Sequence, residues 1–234
     1  MLKMLKYELK GSFRQYMFGF AIYLLACITV PWLPESIIKN VAVVGVSLLM
    51  FGLMIVLAYN IIAYYQRSMF KRQGYLTLTL PVSENILVLS KLLSTLIWLM
   101  ISVLILMIGF FIFTLSVGEI SWSQLVEGLN VMFRFLSNYT SEVIQDIFSF
   151  LIGITASVMY VYFIITLVHT HWIRKHRAIA GIVLYLISAI VFSFVLEQLP
   201  FANEAWVPVA GSLTAIVIFY IGTVYLIKHH IELE

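Results

Sequence analysis

His169, His171 and His176 are the first side chains in this sequence whose type and spacing could do chemistry, and that chemistry would be metal ligation. Their neighbours oppose it. Arg174, Lys175 and Arg177 repel a cation, no carboxylate or cysteine stands among them, and Trp172 with flanking cations is the pattern of a membrane interface. His229 and His230 have the same character. A second group is cationic: Arg67, Lys71 and Arg72 precede the alternating run Tyr75-Leu76-Thr77-Leu78-Thr79-Leu80. Such charges can meet lipid phosphates or the acidic surface of a partner protein, and the residues leave both readings open. Other chemistry is missing. There is no GxxxxGK[ST] loop and no Gly-Lys pair, so the chain does not bind ATP by that route. Nor is there an HExxH, a GxSxG or a pair of carboxylates within an apolar run. The expectation is a non-catalytic chain with no cofactor or metal of its own.

The elements around these residues follow from composition. Of 234 residues, 62% are hydrophobic and only 11% charged, with a mean hydropathy of +1.04, which excludes a soluble globular domain, a disordered chain and a disulfide scaffold. The lone Cys27 lies in an apolar run and has no partner for an intramolecular disulfide. A net charge of +3 does not point to nucleic acid, because the 14 basic residues gather at the ends of apolar runs. Backbone groups in hydrocarbon must be satisfied within their own segment, so these continuous runs are expected to be helices. Six are long enough to cross: Met17 to Leu33, Val41 to Tyr65, Ile86 to Val117, Ile147 to Val168, Ala178 to Leu196 and Val207 to Ile227. With the amino terminus in the cytoplasm, one side receives twelve cations: Lys3, Lys6, Lys10, Arg14, Arg67, Lys71, Arg72, Lys91, Arg174, Lys175, Arg177 and Lys228. The other side receives only Lys39 and Arg134. That asymmetry places both termini in the cytoplasm. The expected fold is thus an all-α membrane protein, a single transmembrane domain over 1–234 with six transmembrane helices.

Several segments have a finer reading. At 100° per residue Leu2, Leu5, Leu9 and Phe13 share one arc, while Lys3, Lys6, Lys10 and Arg14 share another; this predicts an N-terminal amphipathic interfacial helix over 1–14, with those four cations as a membrane-surface anchor. The same stretch is too polar to be the apolar core of a cleavable signal peptide. Residues 66–85 form a cytoplasmic loop in which Pro81 blocks helix continuation and Ser83 is placed to cap the next helix. In the external segment 118–146, Trp122, Leu125, Val126, Leu129, Met132, Phe133 and Leu136 recur at helical spacing. They predict an amphipathic helix that either rests on the outer leaflet or lines an exit route. Ser149, Gly153 and Ser157 form a small-residue stripe for helix packing, within this chain or against a second subunit. Val209-Ala210-Gly211-Ser212 suggests a broken start to the last span.

The stretch QGYLTLTLPVSENILVLSKLLS, Gln73 to Ser94, resembles the loop between the second and third spans of a bacterial family, the six-span permease subunits of type 2 ABC exporters. Gly74 to Ser83 and Ser90 to Leu93 carry the likeness, and Met1 to Arg14 matches the amphipathic helix that precedes the first span in that family. The resemblance implies a bacterial plasma-membrane location and a second permease subunit, the same chain or a different one. It also implies ABC ATP-binding subunits below the pair, which hold the ATP and Mg. It makes Met69 to Leu80 a coupling segment docked in a groove of the ATP-binding subunit, with Met69, Phe70, Lys71, Arg72, Gln73, Gly74, Tyr75 and Leu76 as partner-binding residues. The long external segment departs from the family's pattern. The expected function is export of a peptide-like or amphipathic cargo, such as a bacteriocin, toxin peptide or antimicrobial. The alternative is a non-transporting membrane sensor or scaffold that recruits a cytoplasmic partner through the same basic loop. An ion-coupled carrier working alone is disfavoured by the scarcity of ionisable groups within the runs.

Overall fold

Apolar runs of this length satisfy their backbone only as helices, and four of the five prolines fall between them. Pro31 and Pro34 stand between the first two helices, Pro81 before the third and Pro200 before the last; Pro208 sits in a first turn, where its missing N–H costs nothing. In the computed structural model, residues 2–30, 33, 37–71, 82–117, 122–170, 176–197 and 207–229 are described. Every regular element among them is a helix: α1 (Leu2–Thr29), α2 (Ile37–Met69), α3 (Glu84–Val117), α4 (Trp122–Asn138), α5 (Thr140–Val168), α6 (Arg177–Glu197) and α7 (Val207–His229).

The helix ends are closed by local bonds. Ser83 precedes α3 and its carbonyl accepts the Leu87 N–H at 3.2 Å, while Tyr139 and His176 do the same for Val143 and Ala180, each at 2.9 Å. His176 reaches this position with φ of 53°, in the left-handed region that His tolerates better than most residues. At the far end of α2 the Gln66 carbonyl accepts both the Phe70 N–H at 2.9 Å and the Lys71 N–H at 3.3 Å, which closes the last turn.

Four stretches are long and apolar enough to cross a membrane: Asn40–Met69, Glu84–Leu115, Thr140–Val168 and Val207–His229. α6 contributes a shorter apolar stretch, Arg177–Val191, and α1 carries Lys3, Lys6, Lys10 and Arg14 in its first half. Two expectations change. The N-terminal helix and the first run are one continuous helix, because no proline or glycine pair separates Arg14 from Met17 and a single buried face runs through both. That face is Glu8, Ser12, Tyr16, Phe20, Tyr23 and Cys27, at steps of three and four, whereas Phe13 is 53% exposed. α7 likewise runs unbroken through Val209 to Ser212, with the Thr214 hydroxyl bonded back to the Gly211 carbonyl at 2.8 Å.

The chain divides into two compact units, and α2 and α3 each pass from one into the other. One unit holds α1 from Leu5, α2 to Ile61, α3 from Leu93, and α4. Here Tyr16 stacks on Trp98 at 4.5 Å, and the Trp98 indole N–H donates to Ser12 Oγ at 2.8 Å. Ser12 in turn donates to the Glu8 carbonyl at 2.9 Å, so three polar groups are satisfied in one chain of bonds. A second cluster joins Tyr23, Cys27, Val46, Leu53 and Leu106. The Tyr23 hydroxyl donates to the Leu106 carbonyl at 3.2 Å, and its ring lies where a side chain at Gly109 would begin.

The other unit holds α2 from Ile62, α3 to Leu92, α5 from Ile144, and α6 and α7. α5 is the most buried of the long apolar helices. Phe163 packs against Phe219 at 5.4 Å and against the bare face of Gly222; Tyr160 meets Tyr185 and Phe219 and bonds the Ser188 hydroxyl. The outward surfaces are apolar in both units. Phe51 and Ile55 are each 71% exposed, and Ile190 and Ile218 are similarly bare. Such faces are untenable in water over this length and are what lipid covers.

The Tyr23 contact gives a test. Gly109→Ala puts a methyl inside the Tyr23 ring and is expected to destabilise the detergent-solubilised protein by about 1–3 kcal/mol. Gly52→Ala, whose added carbon meets nothing within 4 Å, is expected to leave thermal unfolding unchanged or slightly raise it. Equal losses in both variants would remove the proposed close approach.

Candidate functional site

The 66–85 loop is the segment to which sequence chemistry pointed, and its two feet are built into one buried polar cluster. Three helix ends supply it: the end of α2, the start of α3 and the end of α5, all in the same unit. Each contributes polar or aromatic side chains within an otherwise aliphatic helix, so these groups must find one another or remain unsatisfied.

Tyr65 of α2 is fully buried and stacks on Tyr162 of α5 with centroids 3.8 Å apart and planes 9° from parallel. Its hydroxyl lies 3.1 Å from Thr166 Oγ. Thr166 spends its own proton on the Tyr162 carbonyl at 2.8 Å, so Tyr65 is the donor in that pair. Phe70 meets Tyr65 edge-on at 6.0 Å and stacks on His169 at 4.3 Å. His169 Nδ1 is 2.7 Å from the Ile165 carbonyl, which can only accept, so the proton of that bond is on Nδ1.

Lys91 of α3 is 2% exposed. Its Nζ donates to Ser68 Oγ at 2.7 Å and lies 5.8 Å from the Tyr64 ring centroid, within cation–π reach. Ser68 passes its proton to the Tyr65 carbonyl at 3.2 Å, and the Tyr162 hydroxyl donates to the Lys91 carbonyl at 3.4 Å. Ser68 near the end of α2 and Lys91 near the start of α3 are thereby joined directly, and Lys91 and Tyr65 are each tied to α5.

The residues singled out from sequence divide around this cluster. Met69 and Phe70 have no exposed surface, with Phe70 packed on Tyr65 and His169, whereas Lys71 is exposed. Arg67, one turn earlier, is also exposed. Arg72, Gln73, Gly74, Tyr75 and Leu76 lie outside the described residues. Lys3, Lys6, Lys10 and Arg14 are all exposed on α1. Ser149 and Ser157 bond carbonyls of their own helix, at 2.7 and 2.9 Å, and a carbon added at Gly153 meets nothing within 4 Å. Among the described residues, no helix of this chain packs on that stripe at Gly153.

Sequence reasoning missed the roles of Tyr65, Ser68, Lys91, Tyr162 and Thr166. A signal was present: Tyr162 and Thr166 lie four residues apart on one face of an apolar helix, Thr170 follows at the same spacing just past its end, and all three are buried.

Fold and site together define an all-helical integral membrane protein with four helices long and apolar enough to span, and a buried polar junction at one end of three of its helices. In comparisons with protein-family models, curated proteins and solved structures, the chain matches none of them.

The junction is testable as a pair. Ser68→Ala leaves the Lys91 ammonium without this acceptor and is expected to cost about 1–2 kcal/mol. Lys91→Met keeps the stem and removes the buried charge, so the double variant is expected to be more stable than the sum of the two single changes. Strict additivity in thermal unfolding would mean that the two side chains do not interact.

Proposed function

We propose that this chain is a permease subunit of an ATP-driven ABC exporter in a bacterial plasma membrane, forming half of a translocation pathway for a peptide-like or amphipathic cargo such as a bacteriocin, toxin peptide or antimicrobial. In this reading α1 and α6 complete six spans, both termini are cytoplasmic, and ATP and Mg sit on a separate ATP-binding subunit. The support is the likeness of residues 74–83 and 90–93 to the permease loop, the split of twelve cations against two, and the absence of a phosphate-binding loop from the sequence.

The observation that carries the proposal is the bond between Ser68 and Lys91 at the base of the loop, with Tyr65 stacked on Tyr162 beside it. A docking loop that hung from flexible ends would absorb a push from the partner. Here the ends of α2, α3 and α5 are packed and hydrogen-bonded to one another, so displacement of the loop moves three helix ends as a group. Nucleotide binding closes the ATP-binding subunits, and rocking of the permease helices between two arrangements follows from that closure. Exposed cations at Arg67 and Lys71 supply docking specificity to an acidic groove rim.

The test is purification of the native protein in mild detergent, identification of what accompanies it by mass spectrometry, and an ATPase assay. A co-purifying ATP-binding subunit with vanadate-sensitive turnover is the expected result. Recovery of the chain without ATPase activity, even after crosslinking in intact membrane, would favour the sensor or scaffold. In the assembled complex, Lys71→Glu with Arg72→Glu is expected to lower transport about tenfold or more while leaving basal ATP turnover and thermal stability close to wild type, since like-charge juxtaposition at a docking surface costs several kcal/mol. Undiminished transport by that variant would count against docking through the loop.

A further inference from the structure

We infer that α4 is an interfacial helix whose apolar face is covered by the lipid bilayer itself, on the membrane surface remote from the 66–85 loop. The reasoning starts from the helix as observed, 17 residues over Trp122–Asn138. At 100° per residue the seven apolar residues that recur at helical spacing fall within an arc of about 120°, while Glu127 and Arg134 lie on the opposite side together with Val131, and Phe135 lies between the two. Val126 and Phe133 belong to the apolar arc and are 44% and 62% exposed, so this chain leaves the face uncovered at those two positions.

Chain connectivity selects the occupant. α3 begins beside the loop base and ends at Val117, having crossed the membrane; α4 begins five residues later, and an extended linker of that length reaches about 18 Å at most. At its other end a single residue, Tyr139, separates α4 from α5, which crosses back. A helix about 25 Å long is therefore tied at both ends to helices long enough to cross the membrane, which keeps it at the membrane boundary. Its apolar arc matches the acyl boundary in width, and its polar arc suits water and headgroups. The charge adds a restriction. With one Glu and one Arg, α4 has no net attraction for anionic lipid, so a zwitterionic bilayer suffices.

The test uses the full chain in nanodiscs of zwitterionic phosphatidylcholine. Nitroxides placed singly by Val126→Cys, Phe133→Cys, Glu127→Cys and Arg134→Cys, in a Cys27→Ala background, report collision with oxygen, which concentrates in lipid, and with a water-soluble nickel chelate. Oxygen is expected to be favoured severalfold at 126 and 133, and the chelate at 127 and 134. The wild-type chain provides a second measurement that needs no substitution: a carbene-generating lipid is expected to label peptides of 122–138 on the apolar arc. Chelate access at all four positions would put the helix in water. Access of neither reagent at 126 and 133, with no lipid labelling, would mean that protein covers the face, and labelling that requires anionic lipid would overturn the charge argument. Each of these results defeats the inference and leaves the loop-coupling proposal untouched.

Discussion

An ammonium taken out of water and kept away from headgroups must be partnered inside the protein, and Lys91 imposes that demand on everything around it. Its burial is costly in isolation, because an ion loses several kcal/mol of hydration when it enters a low-dielectric interior. Ser68 and the face of Tyr64 offset part of that cost, and both are on α2. The start of α3 is therefore held against the end of α2 by a requirement that aliphatic packing alone does not impose. Once the two are held, the Tyr162 hydroxyl finds the Lys91 carbonyl, and Tyr65 finds the Tyr162 ring and the Thr166 hydroxyl.

The same logic recurs wherever this chain fixes one helix on another. Lipid tails are as apolar as leucine, so helices that are greasy all round have little reason to choose one neighbour or one rotation. Specificity comes from the few groups that hydrocarbon cannot satisfy. In the unit built on α1, the Trp98 indole N–H selects Ser12, and the Tyr23 hydroxyl selects the Leu106 carbonyl. In the unit built on α5, Tyr220 donates to Asn85 at 3.2 Å, and Tyr160 bonds Ser188. Each such bond is worth only about 1 kcal/mol in a membrane, yet each specifies a register as well as a contact. Glycines complete the fit where a ring must approach a backbone closely, as Gly109 does for Tyr23 and Gly222 for Phe163.

How far this was legible in the sequence depends on which physical signal carried it. Helix positions were readable because backbone satisfaction in hydrocarbon leaves one solution, and because Pro81 and Ser83 punctuate the start of α3 as turn chemistry requires. Amphipathicity found α4, where seven apolar residues share one arc away from Glu127 and Arg134. It misled at the N-terminus: the leucine arc suggested a separate surface helix, whereas the buried face is the polar and aromatic series from Glu8 to Cys27. Hydrophobicity is a poor guide to the inside of a membrane protein, since its outside is apolar too. The loop base was hidden for the same reason. Lys91 read as a cation near a membrane boundary, and nothing local announces that Ser68, 23 residues away, receives its proton.

Met69 and Phe70 show how the chain entering the loop is anchored. Both immediately precede the exposed Lys71, and both point inward, with Phe70 edge-on to Tyr65 and flat against His169. Aromatic rings in a close-packed core have few rotamers and little compressibility, so they transmit displacement better than flexible side chains do. Under the permease reading, the division of labour within the loop follows from burial alone. In that reading exposed residues such as Lys71 would recognise the partner, and the buried pair immediately before it would convert recognition into movement of α2 and α5. A scaffold that only captured a partner would have no use for the second half of this device. The stiffness beneath the loop is therefore a stronger argument for mechanical coupling than the charges on its surface.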